Sequence, residues 1–421
     1  MEKFLIKGPS KIRGKVDISG SKNAALPILA ATLLFDKPVV IANLPRVKDI
    51  DTMLNLLRSL GSKVELSKNK KIVKISKTNK KKLFASYSLV KTMRAGILVL
   101  GPLLAKFKKA QCSMPGGCNL GLRPIDIHLK ALSQLGITYK IIKGYVHAHA
   151  KKGIFGKEVK FPKISVGATE NTIIAACLAK GTTVLKNCAI EPEIKDLTNF
   201  LKTAGSKIKW IGKRTVEIEG VKSLKSIKYS VMGDRIETGT FCIAACLSEG
   251  NLIIRNFNPK LINTELNMLN KVGAKIKTFK NEIHIKGPKK IRNLNNIITK
   301  EYPNFPTDLQ AQFMVLLCKA NGRSVITENI FENRFMHIGE LIRMGANVKQ
   351  IGSKVIVKKC KKLRGAEVMA TDLRASSCLV IAALMADGKT TINRVYHLDR
   401  GYENLETKLK LCGAQIKRVK S

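Results

Sequence analysis

Thr307-Asp308-Leu309-Gln310-Ala311-Gln312-Phe313-Met314-Val315-Leu316-Leu317 opens on a polar pair and then runs almost wholly apolar. A helix of that composition is buried on all sides. Asn321-Gly322 stops it. Arg323 to Glu328, with Val325 and Ile326 at its centre, reads as a strand. His337 to Met344 then reads as an amphipathic helix, Gly345 suits the position just past its end, and Asn347 to Ile351 begins a second strand.

The same phrase recurs along the whole chain. Gly61, Gly136, Gly205, Gly273, Gly345 and Gly413 close six copies, spaced 68 to 75 residues apart. A period of that length is a full supersecondary unit rather than a short solenoid repeat. The buried helices of the other copies are read at Asn23 to Leu34, Thr92 to Leu104, Thr169 to Ala179, Thr238 to Leu247 and Ala375 to Ala386. First strands are read at Val39 to Ala42, Thr183 to Lys186, Leu252 to Arg255 and Thr390 to Asn393. Amphipathic helices are read at Asp49 to Leu60, Glu193 to Ala204, Leu261 to Val272 and Tyr402 to Leu411. Alternating strands and helices make the class α/β, and six units divide into two domains of three.

Composition narrows the function. The 421 residues are 45% apolar, as in a globular enzyme. No uninterrupted apolar stretch of about 18 residues appears, so no membrane span is expected. Met1 to Gly8 is too short and too charged for a signal peptide, and a cytoplasmic location is expected. No CxxC pair and no HExxH spacing occurs, so no metal site is expected. Cys177, Cys242, Cys246, Cys318 and Cys378 lie inside apolar helical runs and read as small buried hydrophobes. The net charge of +46 invites nucleic acid, yet lysines occur in every copy and aromatics are only 5%, too few for a base-stacking platform. No nucleic-acid partner is expected; a basic surface would instead steer an anionic substrate.

Each buried helix starts in a polar or charged cluster: Ser21-Lys22-Asn23, Lys91-Thr92-Met93-Arg94, Thr169-Glu170-Asn171, Asp234-Arg235, Thr307-Asp308 and Asp372-Leu373-Arg374. In any one copy, capping is the ordinary use of Ser, Thr or Asp there. Helix N-termini also attract anions, and six facing a common cleft would make one anion-binding pocket. The second copy carries an insertion that the others lack, Cys112-Ser113-Met114-Pro115-Gly116-Gly117-Cys118-Asn119-Leu120-Gly121-Leu122-Arg123-Pro124-Ile125-Asp126. Its glycines and prolines mark an exposed loop. Cys118 sits there rather than in an apolar run, and Arg123, Lys91 and Arg94 are cations of the kind that lower a thiol pKa.

Ser19 to Ala25, the Pro115-Gly116-Gly117-Cys118 loop, Gly121-Leu122-Arg123-Pro124-Ile125-Asp126, Phe305-Pro306-Thr307-Asp308, Glu332-Asn333-Arg334-Phe335, Asp372-Leu373-Arg374-Ala375 and Asp399-Arg400-Gly401-Tyr402-Glu403 together resemble the bacterial UDP-N-acetylglucosamine 1-carboxyvinyltransferases, of the enolpyruvyl transferase (EPSP synthase-like) family. The resemblance covers essentially the whole chain. It implies two inside-out α/β barrel-like domains of three units each, helices within and sheets outside. One would be 22–232, carrying the catalytic loop 112–123; the other would join 1–21 to 233–421, with the active site in the cleft between them. It implies transfer of the enolpyruvyl group of phosphoenolpyruvate to the 3′-hydroxyl of UDP-N-acetylglucosamine by addition and elimination, opening peptidoglycan synthesis.

The resemblance also implies roles. Cys118 would be the proton donor, the thiol that forms an adduct with phosphoenolpyruvate and the target of fosfomycin. Asp308 would be the base for the sugar hydroxyl. Lys22, Arg123 and Arg400, with Arg374 among them, would hold the phosphate and carboxylate of phosphoenolpyruvate, beside Asn23. Arg94, Arg123, Pro124, Ile125, Asp126, Ile127, Lys163, Ser165, Val166, Gly167, Asp308 and Ile330 would contact the nucleotide sugar. No cofactor is implied, and the oligomeric state stays open. The sister 3-phosphoshikimate 1-carboxyvinyltransferases and the RNA-cyclising relatives share the sixfold architecture. The cysteine loop and the Gly-Leu-Arg-Pro-Ile-Asp segment argue for the nucleotide-sugar enzymes.

Overall fold

Strands that alternate buried and exposed residues pack against helices that are apolar all round, and in this computed structural model the described residues form six four-stranded sheets of one design. The structure describes residues 2–76, 82–91, 93–116 and 125–420. In the fifth copy, Asn296–Ile298 lies parallel to Arg323–Thr327, which pairs antiparallel with Lys354–Lys358, itself antiparallel to Asn347–Ile351. Glu158–Lys160, Thr182–Lys186, Thr215–Glu219 and Lys207–Gly212 repeat that order.

The two ends of the chain complete the pattern. Glu2–Gly8 fills the missing place in the last copy, between Gly388–Asn393 and Gln415–Lys420. Arg13–Asp17 lies parallel to Asn251–Arg255, and Lys228–Ser230 lies parallel to Val39–Ala42. The contacts divide the chain into one unit of Met1–Ser19 with Gly233–Ser421 and another whose described residues run from Gly20 to Met232. Each unit has its own core.

The all-apolar helices form those cores. Every residue of Arg235–Leu247 is buried, as is every residue of Gln310–Cys318. A fully buried Leu, Ile or Phe contributes about 1.5–3 kcal/mol, so the cores are held mainly by these helices against their sheets. Two of their N-termini are capped by the acidic residues that the sequence suggests: Asp234 accepts from the amides of Ile236 and Glu237, and Asp372 from those of Arg374 and Ala375. Gln310–Cys318 has no side-chain cap, and Thr169-Glu170-Asn171 lies inside Val166–Ala176, which Ser165 caps. The six repeat-closing glycines all have positive φ, from 90° to 110°. A side chain there would strain the backbone, which is why glycine ends each amphipathic helix. The nine cysteines among the described residues are buried. No helix among the described residues is long and apolar enough to cross a membrane.

Five helices among the described residues differ from the sequence expectation. Asn23 to Leu34 turns 3-10 over Thr32–Leu34, and Thr307 to Leu317 opens 3-10 over Thr307–Leu309. The run expected as one helix from Thr92 to Leu104 is a 3-10 helix, Arg94–Val99, followed by an α-helix, Leu100–Phe107. The cause is Asn171: its Oδ1 accepts the Gly101 amide at 2.8 Å, and its Nδ2 donates to the Ile97 carbonyl at 3.2 Å. Those two backbone groups would bond each other in a continuous α-helix, so the side chain inserted between them breaks it. The helix expected from Tyr402 begins only at Leu405, because Asn404 is left-handed at φ 48°. The helix expected from Leu261 is 3-10 up to Ile262 and α over Asn263–Lys271.

Candidate functional site

Asp308 lies in the short 3-10 turn Thr307–Leu309 that leads into the buried helix Gln310–Cys318. Its carboxylate is held at both oxygens. Arg334 Nη2 is 2.6 Å from Oδ1, and Arg374 Nη2 is 3.0 Å from Oδ2. Burial works to raise the Asp308 pKa, but the charges of Arg374 and Arg334 override it and hold the carboxyl far below the usual carboxylate range. Arg374 enters from the first turn of Leu373–Met385, packed 5.6 Å from the ring of buried Tyr402.

Glu328 brings Ile330 to the same place. Its Oε1 accepts the amides of Ile330 and Phe331 at 2.8 and 3.1 Å, and its Oε2 accepts the Thr307 hydroxyl at 2.9 Å. One buried carboxylate therefore ties the Ile330 loop to the turn that carries Asp308. Arg400 ends the 3-10 helix Val395–Arg400. The next residue, Gly401, lies so close to Leu373 that a Cβ would sit 2.6 Å from its Cδ2. That contact seats the Arg400 segment beside Arg374. Asp399 itself binds Arg418 through both oxygens, at 2.7 and 3.1 Å.

In the other unit, Ser21 caps Lys22–Ala31 by accepting from the Ala24 amide, which fixes Lys22 and Asn23 as the first two helical residues. Lys22 Nζ is 3.1 Å from Asp49 Oδ2, in the first turn of Lys48–Ser59. A second cluster gathers Arg94, Asp126 and Gly167 around His128. Arg94 opens its 3-10 helix, and Asp126 opens Asp126–Gln134 between buried Ile125 and Ile127. Ser165 caps Val166–Ala176, so Val166 and Gly167 present that helix's N-terminus, a place suited to anionic oxygens. A Cβ on Gly167 would meet His128 Cε1 at 3.0 Å. His128 is buried, 3.2 Å from the Asn171 amide through Nδ1. Burial pushes its pKa down to about 4, helped by the charge of Arg94 and opposed by Asp126. Lys163 is exposed beside this cluster's helix start.

Cys118, Arg123 and Pro124 lie outside the described residues. Of the other expected residues, the structure joins Asp308, Ile330 and Arg374 in one unit, and Arg94, Asp126 and Gly167 in the other. Four neighbours were given no role in the sequence: Arg334, Glu328, Asp49 and His128. Arg334 stands in the quoted Glu332-Asn333-Arg334-Phe335 motif, where an unassigned charged residue was the available signal; His128, two residues past Asp126, and Glu328 and Asp49 lie outside the quoted motifs. Among the described residues, no group of three or more His, Cys, Asp or Glu side chains is placed to hold a metal ion.

Comparison with known proteins gives one consistent family. The family model for EPSP synthase (3-phosphoshikimate 1-carboxyvinyltransferase) matches residues 6–409. A UDP-N-acetylglucosamine 1-carboxyvinyltransferase of Pelagibacter ubique is 64% identical over 419 residues, covering 100% of both chains. One of Geotalea uraniireducens is 50% identical over 419 residues with the same coverage. Among solved structures, the enolpyruvyl transferase NikO of Streptomyces tendae superposes with a TM-score of 0.89 at 22% identity, covering 100% of this chain and 99% of that one. The EPSP synthase of Acinetobacter baumannii gives 0.77 at 19% identity over 100% of both. These two likenesses establish the fold.

Proposed function

Since this chain belongs to the UDP-N-acetylglucosamine 1-carboxyvinyltransferases of the EPSP synthase family, we propose that it transfers the enolpyruvyl group of phosphoenolpyruvate to the 3′-hydroxyl of UDP-N-acetylglucosamine with release of phosphate. The observation that carries this is the 64% identity, end to end, with a relative of that name. The product would feed peptidoglycan synthesis, and we assign the reaction to the cytoplasm, since both substrates are charged small molecules that do not cross a bilayer unaided.

The chemistry assigns work to each residue. The hydroxyl loses a proton as the vinyl carbon gains one, and the tetrahedral ketal then expels phosphate and loses a proton. Cys118 delivers the proton to the vinyl carbon, and Asp308 accepts the one from the sugar hydroxyl. Lys22, Arg123, Arg374 and Arg400 balance the phosphate and carboxylate of phosphoenolpyruvate; arginine suits both groups because its fork binds two oxygens at once. Asn23 hydrogen-bonds beside Lys22. Arg94, the segment from Arg123 to Ile127, Lys163, Ser165-Val166-Gly167 and Ile330 hold the nucleotide sugar. The helix start capped by Ser165 supports this for the diphosphate. We assign 22–232, with loop 112–123, and 1–21 with 233–421 as the functional domains. The reaction involves no net oxidation or reduction, and lysine and arginine neutralise its phosphates.

Phosphate release from phosphoenolpyruvate is the test, with UDP-N-acetylglucosamine in one arm and shikimate 3-phosphate in the other, for wild type and Cys118→Ala. Release only with the nucleotide sugar, lost in the variant, is expected. Release only with shikimate 3-phosphate would move the chain to the sister activity.

A further inference from the structure

Five residues past each repeat-closing glycine stands Leu66, Ile141, Trp210, Thr278 or Gln350 in the first five copies, and Arg418 in the sixth. Each lies on the edge strand of its sheet, opposite a buried residue of the next strand, and so on the face turned to the helices. Only the last copy places a charge there. The third copy shows an ordinary use of the position: Trp210 Nε1 donates to Thr198 Oγ1 at 3.5 Å and ties the strand to its amphipathic helix. Arg418 makes the equivalent tie with Nε alone, to Glu406 Oε1 at 2.8 Å, Thr198 and Glu406 each standing seven residues before their closing glycine. The rest of its fork goes elsewhere. Nη1 and Nη2 hold the two oxygens of Asp399 at 3.1 and 2.7 Å, Nη1 also reaches Glu2 Oε2 at 2.8 Å, and the guanidinium lies 4.9 Å from the ring of buried Phe4.

Asp399 is the residue before Arg400, and the segment that carries both is weakly held by its own backbone. Val395–Arg400 is a six-residue 3-10 helix, long for a form whose hydrogen bonds are poorly aligned. Left-handed residues bracket it, Arg394 at φ 58° and Asn404 at φ 48°, a conformation that non-glycine residues adopt at a cost. Side-chain contacts have to fix it: Gly401 against Leu373 on one side of Arg400, and Asp399 against Arg418 on the other. We propose that Arg418 is a positioning residue for the enolpyruvyl donor: by clamping Asp399 it sets where Arg400 stands to meet the donor's anion, without touching that anion itself. This rests on the role proposed above for Arg400. The task needs arginine. Its planar fork serves Asp399 through two oxygens while keeping Glu406 and Glu2, whereas a lysine ammonium is a single point charge with no such fork.

A double-mutant cycle on the full chain tests this, with Arg418→Gln, Arg400→Met and both together. KM is measured for phosphoenolpyruvate and for UDP-N-acetylglucosamine, each with the other saturating. Arg418→Gln should raise KM for phosphoenolpyruvate about tenfold, as a displaced binding group does, and leave KM for the nucleotide sugar within about twofold. In the Arg400→Met background the same substitution should add less than about twofold. Arg418→Lys should recover only part of the loss. Where turnover is too slow to give KM, inorganic phosphate titrated by phosphorus NMR supplies the same cycle. An equal effect of Arg418→Gln in both backgrounds would show that it does not act through Arg400 and would overturn the proposal. A parallel rise in both KM values would mean general loosening and would overturn it too. If Arg418→Gln loses its cooperative thermal transition, Asp399→Asn takes its place, since it opens the same fork from the other side and keeps Glu406 and Glu2 on Arg418. The two levels separate cleanly. An active wild type with an uncoupled cycle sinks the positioning role alone. An active wild type whose KM for phosphoenolpyruvate ignores Arg400→Met removes Arg400 as a ligand, and the proposal with it. A wild type that does not turn over the two substrates sinks the function beneath both.

Discussion

Lys408–Glu237 and Lys207–Glu219 are ion pairs of the same length, 2.6 Å, in opposite surroundings. The side chains of the first are 17% and 3% exposed; those of the second are 62% and 54%. Lys408 also donates to the Ser19 hydroxyl at 2.8 Å, and Glu237 accepts the Ser19 amide at 2.8 Å, so the buried pair joins three distant segments. Lys408→Met leaves a buried carboxylate without its cation and should destabilise its unit by about 3–5 kcal/mol. At about 2–4 °C per kcal/mol, that is a fall in Tm of about 6–20 °C. Lys207→Met, in the solvated pair, should lose about 0–1 kcal/mol. The pH dependence has a definite sign. Burial already raises the Glu237 pKa against the charge of Lys408 and the Ser19 amide. Without Lys408 it rises further, so the folded variant keeps a proton that the unfolded chain releases. Stability is then greatest below the unfolded pKa of about 4.3 and is lost as pH rises. Urea unfolding of both variants at pH 5 and pH 7.5 measures this, and the Lys408→Met deficit should be larger at pH 7.5. Equal deficits for the two lysines, or a deficit independent of pH, would refute the reasoning.

Three more outcomes are expected. Arg334→Gln should raise the Asp308 pKa toward the ordinary carboxylate range, so that an acid limb enters the measurable kcat/KM profile, with Arg334→Lys removing it; an unchanged profile would mean that Arg334 does not act through Asp308. Gly101→Ala should destabilise by about 1–3 kcal/mol, since its Cβ would sit 2.4 Å from Asn171 Oδ1 and 2.5 Å from the Asn171 carbonyl; an unchanged urea midpoint would contradict that packing. His128 stays neutral in the fold down to about pH 4, while the unfolded chain takes up a proton from about pH 6.5. Its contribution is present above that pH and is lost on acidification, up to about 3 kcal/mol by pH 4. His128→Gln should flatten the acid side of the stability profile, and an unaltered slope would show the imidazole charging within the fold.

The sequence carried the architecture because the architecture is local and repeated. The run from Thr307 to Leu317 is apolar nearly all round, and such a helix has to be buried wherever it falls. The six closing glycines marked helix ends because each needs positive φ, a demand set by the backbone of one residue. Boundaries failed where a distant side chain intervened. Nothing between Thr92 and Leu104 says that Asn171 will take the Gly101 amide and the Ile97 carbonyl out of the helix.

The same division holds at the site. Motifs placed Asp308, Arg374 and Lys22 on the starts of buried helices, because capping chemistry and helix periodicity are written over a few residues. The sequence by itself therefore determined the sixfold repeat, the α/β class and which short segments to examine. Only the tertiary structure decided the partners: Arg334 and Arg374 on the two oxygens of Asp308, Asp49 on Lys22, and His128 between Arg94 and Gly167. A carboxylate's basicity depends on charges a few ångströms away, and those come from segments 26 and 66 residues distant along the chain.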